Sequence, residues 1–113
     1  MVTEKPKAEI PPGTLEMLIL KTLVRCGALH GYGIAKYIRQ VTEEVLRVEE
    51  GSLYPALQRM LVKGWVTAEW VQSGAKRRAR VYRLTAAGRK QLAAEVSDFN
   101  KVMQAIGRVL EPA

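Results

Sequence analysis

Gly51-Ser52-Leu53-Tyr54-Pro55-Ala56-Leu57-Gln58-Arg59-Met60-Leu61-Val62-Lys63-Gly64 is a short stretch with a glycine at each end and one proline inside. It predicts one helix. Ser52 is a good N-cap residue, and Pro55 is expected in the first turn, where its missing N–H costs nothing. Gly64 suits the left-handed position just past a helix end. Leu53, Leu57, Met60 and Leu61 share one face at helical spacing. Pro55, Gln58, Arg59 and Val62 share the opposite face, flanked by Ser52, Tyr54 and Lys63. That second face has few long charged solubilisers. It holds residue types that read bases and grip phosphates. An ordinary amphipathic helix fits the same pattern, so the neighbouring stretches decide.

After Gly64 the apolar period changes from helical to alternating. Trp65 to Gln72 reads as a strand, with Val66, Ala68 and Trp70 on one face. Ser73-Gly74-Ala75-Lys76-Arg77-Arg78 reads as a basic hairpin tip, and Ala79 to Leu84 as the returning strand with Tyr82 and Leu84 on one face. Trp65 and Trp70 are expected to pack under this hairpin. Thr85 is placed to cap a last helix over residues 86–110.

Upstream, residues 1–12 are polar and carry prolines, which predicts a flexible arm. Thr14 is expected to cap a first helix that runs to Cys26 and stops at Gly27. A second helix is expected from Gly31 to Thr42, with Ile34, Ile38 and Val41 inward. His30 stands alone, with no second ligand at metal spacing, and reads as a hydrogen-bonded helix-start residue. Val45, Leu46 and Val48 suggest a short extended piece.

Length and charge set the class. A chain of 113 residues, 48% hydrophobic and 26% charged, predicts one globular domain. No apolar run approaches the roughly 20 residues of a membrane span, and no secretory leader is visible, so a cytoplasmic setting without a membrane partner is expected. The single cysteine, Cys26, excludes an internal disulfide and is expected to be a small buried hydrophobe. The net charge is +7, and it is localised. Seven bases and no acid lie between Trp70 and Ala94, so the other eleven bases balance the eleven acids. Such a patch points to a polyanion. With one histidine and one cysteine, no nucleophile–base pair and no metal cluster emerge. An enzyme is not expected, and neither is a cofactor.

The last helix carries Leu92, Val96, Phe99, Met103, Ile106 and Leu110 at alternating steps of four and three. Such a seam stays wet if the helix projects from a small domain. Either a homodimer partner covers it or the helix folds back on its own domain.

The order helix, helix, short strand, helix, strand, basic turn, strand is that of a winged helix-turn-helix. The expected fold is mainly α with a small β-wing (α+β). A DNA-binding domain over 13–85 precedes a dimerisation helix over 86–113. The third helix would enter the major groove and the basic hairpin would follow the phosphates.

Five motifs also resemble the PadR family of bacterial transcriptional regulators. They are Gly13-Thr14-Leu15, Leu29-His30-Gly31-Tyr32-Gly33-Ile34, Gly51-Ser52-Leu53-Tyr54-Pro55-Ala56-Leu57, Gly64-Trp65-Val66 and Tyr82-Arg83-Leu84-Thr85-Ala86-Ala87-Gly88. Each alone is weak; in this order and spacing they are specific. The resemblance implies a homodimeric repressor, and a dimer is expected to bind a pseudo-palindromic double-stranded operator. Its dimer interface would join the first and last helices through Leu15, Leu92, Val96, Phe99, Met103, Ile106 and Leu110. Some members bind flat hydrophobic effectors between subunits. Phe99, with Met103 and Leu15, is the candidate here, and core packing is the competing role for Phe99.

For DNA, Gln58 and Arg59 are the expected base readers. Ser52, Tyr54, Pro55 and Lys63 complete that helix surface, with Tyr54 either on phosphate or buried beside Leu53 and Leu57. Tyr32 and Lys36 join from the second helix, and Lys76, Arg77, Arg78 and Arg80 from the wing. The competing function is a protein-interaction or RNA-binding module that uses the basic wing and the long helix.

Overall fold

The computed structural model describes residues 9–11, 13–72 and 74–112. Most of the arm expected over residues 1–12, and one residue of the hairpin tip, lie outside these. The elements are α1 (Leu15–Cys26), β1 (Leu29–His30), α2 (Gly31–Val41), α3 (Glu50–Val62), β2 (Val66–Gln72), β3 (Arg78–Leu84) and α4 (Ala86–Leu110). The sheet is antiparallel with strand order β1-β3-β2. Helices predominate, and the architecture is a winged helix-turn-helix with a long C-terminal helix.

The third strand is not where the sequence suggested. Residues 45–48 give only a single bridge residue, Leu46, and no strand, while Leu29–His30 pairs with Tyr82 and Val81 of β3. The turn after α2 explains the difference. The Thr42 hydroxyl donates to the Ile38 carbonyl and accepts from the Leu46 N–H. Glu43 and Glu44 then adopt left-handed backbone, at φ 51° and 67°. This tight turn sends the chain into α3 and leaves the free edge of β3 to Leu29–His30.

The start of α3 also differs. Its N-cap is Glu49, whose carbonyl accepts from the N–H groups of Ser52 and Leu53. Ser52 is therefore no cap, and Pro55 lies inside the helix. There it removes the bond to the Gly51 carbonyl. Core burial overrides that cost: Leu53, Ala56, Leu57 and Met60 are all buried on the inner face. The end follows expectation. Gly64, at φ 77°, closes α3 with its N–H donating to the Leu61 carbonyl and the Trp65 N–H to the Met60 carbonyl.

The core joins Ile19, Leu20 and Leu23 of α1, Ile34 and Ile38 of α2, the inner face of α3, Val66, Tyr82 and Leu92. Three local expectations are met only in part or fail. Thr14 is the N-cap residue of α1 as expected, but it makes no side-chain cap bond, because its hydroxyl donates backwards to the Pro11 carbonyl at 2.7 Å. Val41 and Cys26 are exposed. Each is the last residue of its helix, at the rim where the inward face has run out of core.

Thr85 fixes the base of α4. Its hydroxyl oxygen accepts from the Gly88 N–H at 3.0 Å and donates to the Gly64 carbonyl at 2.7 Å. Gly88 is required by close approach, since a Cβ there would run into the Trp65 carbonyl oxygen. Beyond that base α4 packs on α1 and then projects. Leu92 is buried and Phe99 half-buried, whereas Met103, Ile106 and Leu110 are exposed. The radius of gyration is 16.2 Å, against about 13 Å for a compact domain of this length. No described helix is long and apolar enough to cross a membrane.

Candidate nucleic-acid interface

The exposed face of α3 presents Ser52, Tyr54, Pro55, Gln58, Arg59 and Lys63. Tyr54 is exposed rather than buried beside Leu53 and Leu57. Its ring lies over the first turn of α2, where Gly31 is buried beneath it. A Cβ on Gly31 would sit 2.8 Å from Tyr54 Cε1. The glycine thus lets α3 and the start of α2 close on each other, and Tyr54 stays half out of the surface.

The α2 terminus is built as expected at His30. Its Nδ1 accepts from the Gly33 N–H at 3.0 Å, which leaves it a structural cap. The imidazole stacks on Tyr32, with centroids 6.1 Å apart. Tyr32 and Lys36 are exposed on α2.

The wing meets this terminus. His30, Tyr32 and Tyr54 line one side of a cleft, and Arg77, Arg78 and Arg80 line the other. Five residues singled out in the sequence thus converge from α2, α3 and the wing. Arg78 belongs to β3 rather than to the turn, while Lys76 is exposed in the turn. Among the described residues, none of Lys76, Arg77, Arg78 and Arg80 has a carboxylate partner. Arg83 differs: its Nε donates to Glu69 Oε1 at 2.9 Å on the other hairpin face.

Two α3 cations are held elsewhere. Arg59 Nε donates to Glu16 Oε1 of α1 at 3.0 Å. Lys63 Nζ lies 4.6 Å from the Trp65 ring centroid. Gln58, the residue before Arg59, is exposed. Ser52, Pro55 and Arg59 border a second cleft with Leu15, Arg47 and Val48. Leu15 is thus beside α3, while Phe99 packs on the core and Met103 is exposed further along α4. The three proposed effector residues do not line that cleft together. A third cleft, between α1 and α4, is lined by Lys21, Val24, Arg89, Leu92, Val96 and Asn100.

Sequence reasoning missed His30 as a cleft residue and expected Trp70 to be covered. Trp70 is 60% exposed. The signal was present: in a hairpin closed at residues 73–77, Trp70 stands opposite Arg80. Near α1 and α4, burial raises the Glu95 carboxyl above its ordinary value, and Glu16 adds to the effect; the Gln91 hydrogen bond and Lys63 oppose it. No group of three or more metal-ligating side chains occurs among the described residues.

The model of the transcriptional regulator PadR-like family matches residues 19–94. That span runs from the core of α1 through the wing into α4. The chain belongs to the PadR family.

One PadR relative, the negative transcriptional regulator PadR of Bacillus subtilis, is 29% identical over 70 residues, 62% of this chain. The matched part spans only 38% of that regulator. Among solved structures, a transcriptional regulator from Clostridium thermocellum superposes with a TM-score of 0.82 at 26% identity, covering 88% of this chain and 95% of that one. Bacillus subtilis PadR in complex with operator DNA superposes with a TM-score of 0.67 at 28% identity, covering 76% of this chain and 48% of that one. PadR members are transcriptional regulators rather than enzymes.

Proposed function

We propose that the chain is a sequence-specific double-stranded DNA-binding repressor that acts as a homodimer. The observation that carries this reading is the cleft where Tyr32 and Tyr54 face Arg77, Arg78 and Arg80 beside the exposed face of α3. A phosphate running through that cleft meets two phenol hydroxyls and three cations. The same backbone path sets α3 into the adjoining major groove, where Gln58 is the exposed base reader. Ser52 and Pro55 border this surface, and Lys36 and Lys76 extend the phosphate contacts along it. That the Bacillus subtilis relative was solved in complex with operator DNA supports the reading as a DNA-binding protein.

The homodimer follows from α4. Val96, Met103, Ile106 and Leu110 leave an apolar seam open to water, and a second copy is the natural cover. A dimer reads a pseudo-palindrome with half-site centres about 10 bp, or a multiple of it, apart. A flat hydrophobic effector at the subunit junction beside Phe99 completes the reading. Equal binding of planar dyes by wild type and Phe99→Ala removes that last element.

The test is selection from a random duplex pool with single-stranded RNA as competitor. Enrichment of one pseudo-palindromic sequence is expected. Preference for the RNA, or no enrichment at all, rejects the reading.

A further inference from the structure

One face of the hairpin carries Ala68, Trp70 and Gln72 on β2 and Arg78, Arg80 and Tyr82 on β3. Trp70 and Arg80 are direct cross-strand partners, and Arg78 is the diagonal neighbour. The Arg78 guanidinium carbon lies 5.4 Å from the Trp70 ring centroid, and that of Arg80 lies 5.9 Å from it. Arg80 is also 5.9 Å from the ring of Tyr82, which is buried at the root of the wing. Cations and rings therefore alternate along the face that leads into the cleft with His30, Tyr32 and Tyr54.

Trp70 has no packing role that accounts for it. It sits on β2, an edge strand, where an exposed indole is an aggregation liability and a charged residue would be safer. Its ring face is met by the two arginines. An arginine on an exposed strand has many rotamers, and binding must freeze them at an entropic cost. A ring face that attracts the guanidinium planes lowers that cost before any ligand arrives.

We propose that Trp70 is a positioning residue of the wing, whose ring orders Arg78 and Arg80 so that both guanidinium groups meet DNA phosphates already aligned. The inference rests on the reading of the wing as a duplex-DNA contact. Trp70 acts through the arginines and does not itself touch the nucleic acid.

The test compares duplex binding, at one salt concentration, by wild type, Trp70→Leu, Trp70→Phe and the Arg78→Ala/Arg80→Ala pair with and without Trp70→Leu. Leucine keeps apolar bulk on the strand and removes the π face. Trp70→Leu is expected to weaken operator and random duplex alike, on the order of tenfold. Trp70→Phe should recover most of that loss. Once both arginines are alanine, Trp70→Leu should cost nothing further. A loss that persists in the alanine background overturns the proposal, because the indole then touches DNA itself. Wild-type affinity in Trp70→Leu overturns it too. NMR relaxation of the arginine Nε–H groups in DNA-free protein is the second readout. The Arg80 Nε–H should gain motion in Trp70→Leu and keep its order in Trp70→Phe. Equal order in all three proteins overturns the proposal even where duplex binding is intact. If wild type binds no duplex, the proposed function fails, and the arginine order alone decides whether Trp70 orders the wing.

Discussion

Arg59 Nε donates to Glu16 Oε1 at 3.0 Å and so ties α3 to α1. The Glu16 side chain is only 20% exposed, while that of Arg59 is 56% exposed. The residue expected to read guanine is thus held by a carboxylate on the first helix. Glu16→Gln should release it. One added phosphate contact steepens the slope of log affinity against log salt by about 0.9. Binding to random duplex should tighten by about threefold at low salt, as expected for one weak charge pair set free. A slope identical to wild type means that Arg59 stays off the DNA.

Glu95 predicts a pH dependence. Burial raises its carboxyl above 4.5, its ordinary value, with Glu16 adding and Gln91 and Lys63 opposing. The folded protein therefore holds that proton more tightly than the unfolded chain. Its contribution is most favourable below the unfolded value, falls as pH rises through the folded one, and stays low above it. Glu95→Gln should remove that fall and melt higher than wild type at neutral pH. Thermal unfolding from about pH 4 to about pH 8 checks this. Parallel curves for the two proteins would show that Glu95 does not contribute.

The sequence carried the helices and the hairpin because their signals are local. Gly64 had to be left-handed, Thr85 had to cap, and the Trp65–Leu84 alternation could only be a hairpin. What it hid depended on distant partners. Pro55 reads as a first-turn residue until the buried Leu53 and Ala56 extend α3 back to Glu50. Leu29–His30 is a strand only because β3 offers an edge. In the candidate site, the wing cations and Tyr32 were legible as a basic patch with aromatic neighbours. The Glu16–Arg59 pair was not, since it joins residues 43 positions apart.

The wing arginines can be separated from general stability. Arg77→Ala with Arg78→Ala removes two exposed cations from the cleft. The salt slope should flatten by about 1.8, and specific and random duplex should weaken similarly. An unchanged slope returns both residues to the role of a solvated turn.

Ile106 tests the seam. It is 44% exposed on α4, so Ile106→Glu costs little within one chain. In a dimer it places a charge in an apolar interface, which costs several kcal/mol unless the charge escapes. Light scattering at micromolar concentration should find wild type dimeric and Ile106→Glu monomeric, with helical content unchanged. A monomeric wild type sinks the homodimer.

Gln58 decides whether α3 reads sequence. It lies on the exposed face of α3, six residues before the Gly64 stop, and Arg59 beside it is held by Glu16. A glutamine there can make two hydrogen bonds to an adenine edge, and it brings no charge. Its loss must therefore act on specificity and leave the salt slope alone. Gln58→Ala should cost on the order of 1–3 kcal/mol on the selected operator and almost nothing on random duplex. The wing pair should do the opposite and lose on both. Both ratios need one fixed salt concentration, because the phosphate contribution changes with salt and the base contribution does not. If Gln58→Ala leaves the ratio of operator to random affinity untouched, α3 does not lie in the groove as proposed, and the cleft between Tyr54 and the wing must hold something other than the backbone of a sequence being read.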